Sequence, residues 1–160
     1  MTTRIIGFTG TKLGMASAQE ETLKSLLFQK MHEGPIEAHH GDCVGADAGF
    51  HDIICELRSI NLETNIVIHP PIRFQTRAFR GTGQSWVTIL PQKDYVDRDY
   101  DIVDASDEMF ATPRGAEQVR SGTWTTVRYA RRRGRRITII WPNGSVTVEN
   151  ERVDPQGVLL

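Results

Sequence analysis

Ser121, Gly122 and Thr123 set two hydroxyls around a glycine, directly ahead of a segment with helical patterning. The first amides of a helix lack internal partners and carry the positive end of its dipole. A glycine there lets an anion come close, and the flanking hydroxyls complete a cradle. The chemistry this suits is phosphate binding. "TGTKLG" (9–14) repeats the composition with Thr9, Gly10 and Thr11. "HGDCVGAD" (40–47) supplies Gly41, Asp42, Gly45 and Asp47, and His51 follows Asp47 at helical i, i+4 spacing, where the two side chains can hydrogen-bond. "HPPIR" (69–73) and "TPRG" (112–115), the latter containing Pro113, complete the polar segments. Arg73, Arg77 and Arg80 fall at i, i+4 and i+7, which on a helix makes one guanidinium face for phosphate oxygens. Taken singly, each of these segments reads more readily as a turn or a helix cap; their order along the chain is what joins them and reverses that preference.

That order comes from the elements around them. "RIIGF" (4–8), "IEAHH" (36–40), "NIVIH" (65–69), "EMFAT" (108–112) and "RITIIW" (136–141) are short apolar runs with the length and β-branching of buried strands. Helical patterns lie between them. "SAQE" (17–20) has the form of a capping box ahead of Leu23, Leu26, Leu27 and Met31, with Gly34 placed to end that helix. Phe50, Ile53, Ile54 and Leu57 give a second helix an apolar face, "YVDRDYDIVDAS" predicts a third, and "TWTTVRYARRRG" a fourth. Residues 70–93 read as a loop with one helical turn and a short strand near "WVTIL", and "GSVTVENERV" as a last short strand and tail. Alternating strands and helices imply a mostly parallel sheet with helices on both faces. In such sheets ligands bind beyond the carboxyl ends of the strands, and the polar segments each follow a strand. They are therefore expected to converge on one edge.

The remaining features narrow the function by exclusion. A chain of 160 residues is enough for one domain with a real core. Its net charge of −1 excludes a dedicated polyanion binder, so nucleic-acid affinity would need a local basic patch. "RRRGRR" (131–136) is the obvious candidate, but it lies at a helix carboxyl end, where cations complement the dipole, and at the amino end of a strand. Cys43 and Cys55 are too few for a disulfide framework. His39, His40, Asp42 and Cys43 match no metal-ligand spacing, so no metal and no resident cofactor are expected. Nucleophile-elbow, Walker and dinucleotide-fingerprint motifs are missing. No apolar run is long enough to span a membrane and no signal pattern opens the chain, so a cytoplasmic protein is expected.

"SGTWTTVRYARRRGR" resembles the Ser-Gly-Ser-x-x-Thr-Ala-x-x-Ala-x-x-x-Gly-Arg signature of the DNA-processing protein A (DprA) family. "GDCVGADAGFH" resembles that family's Gly-x-Ala-x-Gly-Ile-Asp-x-x-x-His segment, with Asp47 and His51 on the matching positions. "DRDYDIVDASDEMFAT" resembles its Arg-Asn-Arg stretch: Arg98 matches the first arginine, while Asp99 and Tyr100 replace the asparagine and the second arginine. "GFTGTKLGM" is similar to the first phosphate-facing loop of the wider SLOG superfamily, which joins the DprA-like proteins to the LOG phosphoribohydrolases. The resemblance runs in order to about residue 141, and residues 142–160 are expected to add a short strand and tail to the same domain.

The resemblance implies a Rossmann-like three-layer sandwich, a short standalone member of a kind found in bacteria and phages, with a homodimer or higher homo-oligomer as the default. It implies binding of a nucleotide or nucleotide-derived ligand, with contacts from Gly10, Thr11, Gly41, Asp42, Gly45, Ser121, Gly122 and Thr123. Two alternatives stand beside sensing or sequestration. One is LOG-like cleavage of a nucleoside monophosphate; the LOG catalytic glutamate aligns with Thr126, which cannot act as a carboxylate. The other is DprA-like binding of single-stranded DNA, expected to be weak and salt-sensitive.

Overall fold

Arg4–Gly10 forms β1, and its buried run carries Ile6 and Phe8 into the interior. α1 (Ser17–Glu33), β2 (Ile36–His40), α2 (Ala46–Arg58) and β3 (Thr64–Ile68) follow. After a 3₁₀ turn at Phe74–Thr76 come β4 (Val87–Ile89), α3 (Tyr95–Ala105), β5 (Glu108–Thr112), α4 (Gly122–Arg132), β6 (Arg136–Ile140) and β7 (Val146–Glu149). The computed structural model describes residues 2–60 and 63–151; the rest of the tail, residues 152–160, lies outside it.

The strands form one sheet in the order β4-β3-β2-β1-β5-β6-β7, parallel throughout except for β7, which pairs antiparallel with β6. The pleat sends alternate side chains to opposite faces, and β5 displays this directly. Phe110 joins a core under α1 and α2, while Met109 and Ala111 join a second core under α3 and α4. Two helices on each face make this a Rossmann-like three-layer α/β fold, as the strand and helix patterns require. β1 through β4 build outward on one side, and β5 and β6 on the other, so the direction of winding switches between β1 and β5.

The start of α1 departs from the expected capping box by one residue. Ala16 holds the N-cap position and has no side-chain acceptor, so only half of a box forms: Gln19 Oε1 accepts from the Ala16 amide at 2.9 Å. The Gln19 amide nitrogen is thereby turned inward, where it donates to the carbonyls of Pro113 (2.8 Å) and Ile140 (2.9 Å). A buried glutamine thus satisfies carbonyls at the ends of two adjacent strands, β5 and β6, which would otherwise lie unpaired in the interior. Among the described residues no helix is long and apolar enough to cross a membrane.

Candidate functional site

β1 ends at Gly10 beside Thr112, the last residue of β5, and the chain diverges from this point in opposite directions. A cavity of about 550 Å³ opens there, with Thr9, Gly10 and Thr11 on one wall and Ser121, Gly122 and Thr123 on another. It lies at the topological switch point, where open parallel sheets leave room between diverging loops. Gly41, Cys43 and Asp47 reach it from the β2–α2 loop and α2, and Tyr95, Arg98 and Asp99 from α3.

At the α4 end, Ser121 is the N-cap and its hydroxyl oxygen accepts from the Trp124 amide at 3.3 Å. The Thr125 amide and hydroxyl both return to the Ser121 carbonyl. That leaves the Gly122 and Thr123 amides, the first two of the helix, without helical acceptors. A Cβ built on Gly122 would meet no protein atom within 4 Å, so the glycine faces open space.

The deeper wall is ionic. Arg98 is 4% exposed and its guanidinium donates to the carbonyls of Gly41 and, at 3.3 Å, His69. Its Nε has no hydrogen-bond partner, because Asp99 Oδ1, 2.7 Å away, lies off the N–H direction and makes an ion pair only. Asp99 Oδ2 accepts from the Thr126 hydroxyl at 3.2 Å, and that hydroxyl also reaches the Gly122 carbonyl at 3.0 Å. Asp47 Oδ2 accepts from the Cys43 amide at 3.1 Å. Burial raises the pKa of Asp47 to about 7 against the pull of Arg98, and burial likewise raises Asp99. Asp47 therefore tends to hold a proton near neutrality, and both carboxyls stand beside one guanidinium inside the cavity.

Of the residues singled out by sequence, Thr9, Gly10, Thr11, Gly41, Asp47, Arg98, Ser121, Gly122 and Thr123 line this cavity. Asp42, Gly45, His51, Arg77 and Pro113 do not. Asp42 is fully buried and spends its carboxylate on the Arg80 amide (3.0 Å) and Arg77 Nε (3.1 Å), fastening the 73–80 segment. The expected guanidinium face does not form, since only Phe74–Thr76 makes a helical turn and Arg80 turns away to Asp52. Asp47 and His51 do not bond each other either. His51 Nδ1 meets His40 Nε2 at 2.9 Å, and burial lowers the pKa of both rings. Pro113 contributes the carbonyl held by Gln19.

The glycines near the site also serve different purposes. At Gly41 a Cβ would lie 2.0 Å from Arg98 Nη1, and at Gly45, with φ +88°, it would lie 2.2 Å from the Lys12 carbonyl oxygen. Both allow close approach between protein segments rather than approach of a ligand. Gly122 and Gly115, which also line the cavity, have open space at the Cβ position.

Lys12, Tyr95, Arg114, Arg120 and Asp99 line the cavity without having been selected as contacts from sequence. Lys12 sits over the Tyr95 ring at 4.2 Å. Arg114 and Arg120 belong to the segment between β5 and α4, and their place in "TPRG…RSGT" was the available signal. The "RRRGRR" cluster, in contrast, is largely neutralised: Arg131 pairs with Glu117 and Glu149, Arg133 with Asp104, and Arg136 with Glu108. Among the described residues no group of three or more His, Cys, Asp or Glu is placed to hold a metal ion.

No known protein family matches the chain, and no curated protein matches it in sequence. Among solved structures it is similar to the X-ray structure of TM1055, a structural-genomics target, at a TM-score of 0.56 and 12% identity, over 96% of this chain and 87% of that one. The likeness extends over nearly the whole of both chains and shows the shared fold. The chain is a Rossmann-like α/β protein with a cavity at its switch point.

Proposed function

We propose that the protein binds a nucleotide or nucleotide-derived ligand in this cavity, for sensing or sequestration, as a short member of the SLOG superfamily. The observation that carries the reading is the α4 start: two free amides and an open glycine lining an ionic cavity at the switch point. The helix end suits a phosphate. The carboxyls of Asp47 and Asp99 suit hydroxyl or amino donors, as on a ribose or a base. The order of the DprA-like segments along the chain supports the superfamily. Native mass spectrometry of the purified protein tests the reading, with a co-purifying phosphate-containing compound as the expected result. A cavity that takes up none of a panel of nucleotides in thermal-shift measurements overturns it.

One observation favours a second reading, hydrolysis of the N-glycosidic bond. The threonine aligned with the LOG glutamate hydrogen-bonds a carboxyl, so Asp99 brings to that position the group Thr126 lacks. Water would add at the sugar carbon while the departing base takes a proton, with Asp99 stabilising the developing positive charge and Asp47 supplying the proton. Binding without turnover remains the primary reading, because Asp99 is already committed to Arg98 and Thr126. Free adenine released from AMP by the wild type, and lost in Asp99→Asn, would establish the second.

A further inference from the structure

The cavity segregates its charges, and the segregation specifies more of the ligand than one phosphate. On its deep wall, Arg98 is flanked by Asp99 and Asp47 and held by backbone carbonyls, so it offers an anion little net positive field. At the mouth the balance reverses. Arg114 and Arg120 line the cavity on the segment between β5 and α4, and neither forms an ion pair among the described residues. Their neighbours Arg128 and Arg131, on the same helical connection, are instead neutralised by Glu117. Lys12, from the β1–α1 loop, stands instead over the Tyr95 ring on the α3 wall, where it helps to draw the Asp99 pKa down. The Gly122 and Thr123 amides follow Arg120 closely in the chain and line the same cavity.

Resting on the nucleotide reading above, we infer that the preferred ligand carries two adjacent phosphoryl groups, as in a nucleoside diphosphate or a pyrophosphate-bridged nucleotide. The first phosphoryl sits on the α4 amides and the second between Arg114 and Arg120. The sugar points inward, where the Asp99 and Asp47 carboxyls hydrogen-bond its hydroxyls. A monophosphate leaves the mouth cations unused, and a guanidinium gains its bidentate strength only against an oxyanion. The 550 Å³ cavity is within the range that encloses a ligand of this size.

Isothermal titration in magnesium-free buffer tests this with AMP, ADP, GMP and GDP against the wild type and an Arg114→Ala/Arg120→Ala variant. Both arginines are exposed, so the variant keeps the fold. For at least one base the diphosphate is expected to bind about tenfold or more tighter than its monophosphate, as one added charge-assisted contact gives. The double variant is expected to erase that preference, weakening diphosphate binding about tenfold or more beyond any loss of monophosphate binding. Equal affinity of mono- and diphosphate for the wild type overturns the inference while the nucleotide reading stands. A preference that survives the double substitution also overturns it. Binding of none of the four overturns both.

Discussion

Replacing Gly122 with valine isolates the helix start from everything else in the site. A Cβ at this position meets no protein atom within 4 Å, and the backbone there is not in the left-handed region, so the variant has room to fold. Valine in place of glycine changes helix propensity by only a few tenths of a kcal/mol, in the stabilising direction. The ligand-free melting temperature should therefore move by about 1 °C or less, taking 2–4 °C per kcal/mol for a chain of roughly this length. Binding is a different matter, because the isopropyl group fills the space that a phosphate needs beside the two free amides. Losing two charge-assisted hydrogen bonds of about 1.5 kcal/mol each weakens binding ~100-fold. At a ligand concentration ~100 times the wild-type Kd, the wild type gains about 2.7 kcal/mol and melts roughly 5–11 °C higher. In the variant the same concentration only equals Kd, the gain falls to about 0.4 kcal/mol, and the shift to about 1 °C. The assay is thermal shift for both proteins across a nucleotide panel. Identical ligand shifts in two well-folded proteins would refute the reasoning and leave α4 as packing alone.

Asp47→Asn should alter stability in a pH-dependent way. With its folded pKa near 7 and an unfolded value near 4, Asp47 keeps a proton in the folded state that the unfolded chain has released. Wild-type stability from this group therefore falls as pH rises from about 4 to 7, by at most ~4 kcal/mol. The variant's melting temperature relative to wild type should climb across that window, and a difference that stays flat refutes the shift. Gln19→Leu should destabilise by about 2–4 kcal/mol in chemical denaturation, since it strands the Pro113 and Ile140 carbonyls in the interior; a loss under 1 kcal/mol would show that water replaces the amide. Single-stranded DNA should bind no tighter than about 10⁻⁵ M at physiological salt, because most of the arginine cluster is already ion-paired. Tight binding that resists added salt in a fluorescence titration would contradict this.

The sheet was legible because its strands are short β-branched runs and its helices repeat apolar residues at helical spacing, both local signals. The convergence of Thr9–Thr11, Gly41 and Ser121–Thr123 followed from parallel topology alone. What was not legible depended on partners far apart in sequence. Arginine spacing at 73, 77 and 80 looked helical, yet the chain there is shaped by the Asp42 carboxylate, which takes Arg77 Nε and the Arg80 amide. Asp99 was recognised only as a replacement for asparagine. Its role depends on α3 lying against α4, where Thr126 is 27 residues away.

The Asp47–Arg98–Asp99 group carries the fold's architecture into its chemistry. A buried ion cluster is weak evidence of stability, since apolar packing of similar volume usually does as well or better. Arg98 nevertheless joins the β2–α2 loop at Gly41, the end of β3 at His69 and its own helix α3, and the missing Cβ of Gly41 makes room for it. A leucine there could fill the space but could not satisfy those carbonyls, nor pair with Asp99. The same guanidinium that closes the end of the sheet thus opposes the burial that raises the pKa of the carboxyls at the bottom of the cavity. Any ligand donating hydroxyl protons to Asp99 must compete with Arg98 and Thr126 for its oxygens, so binding should be felt along α3 and at the start of α4 together.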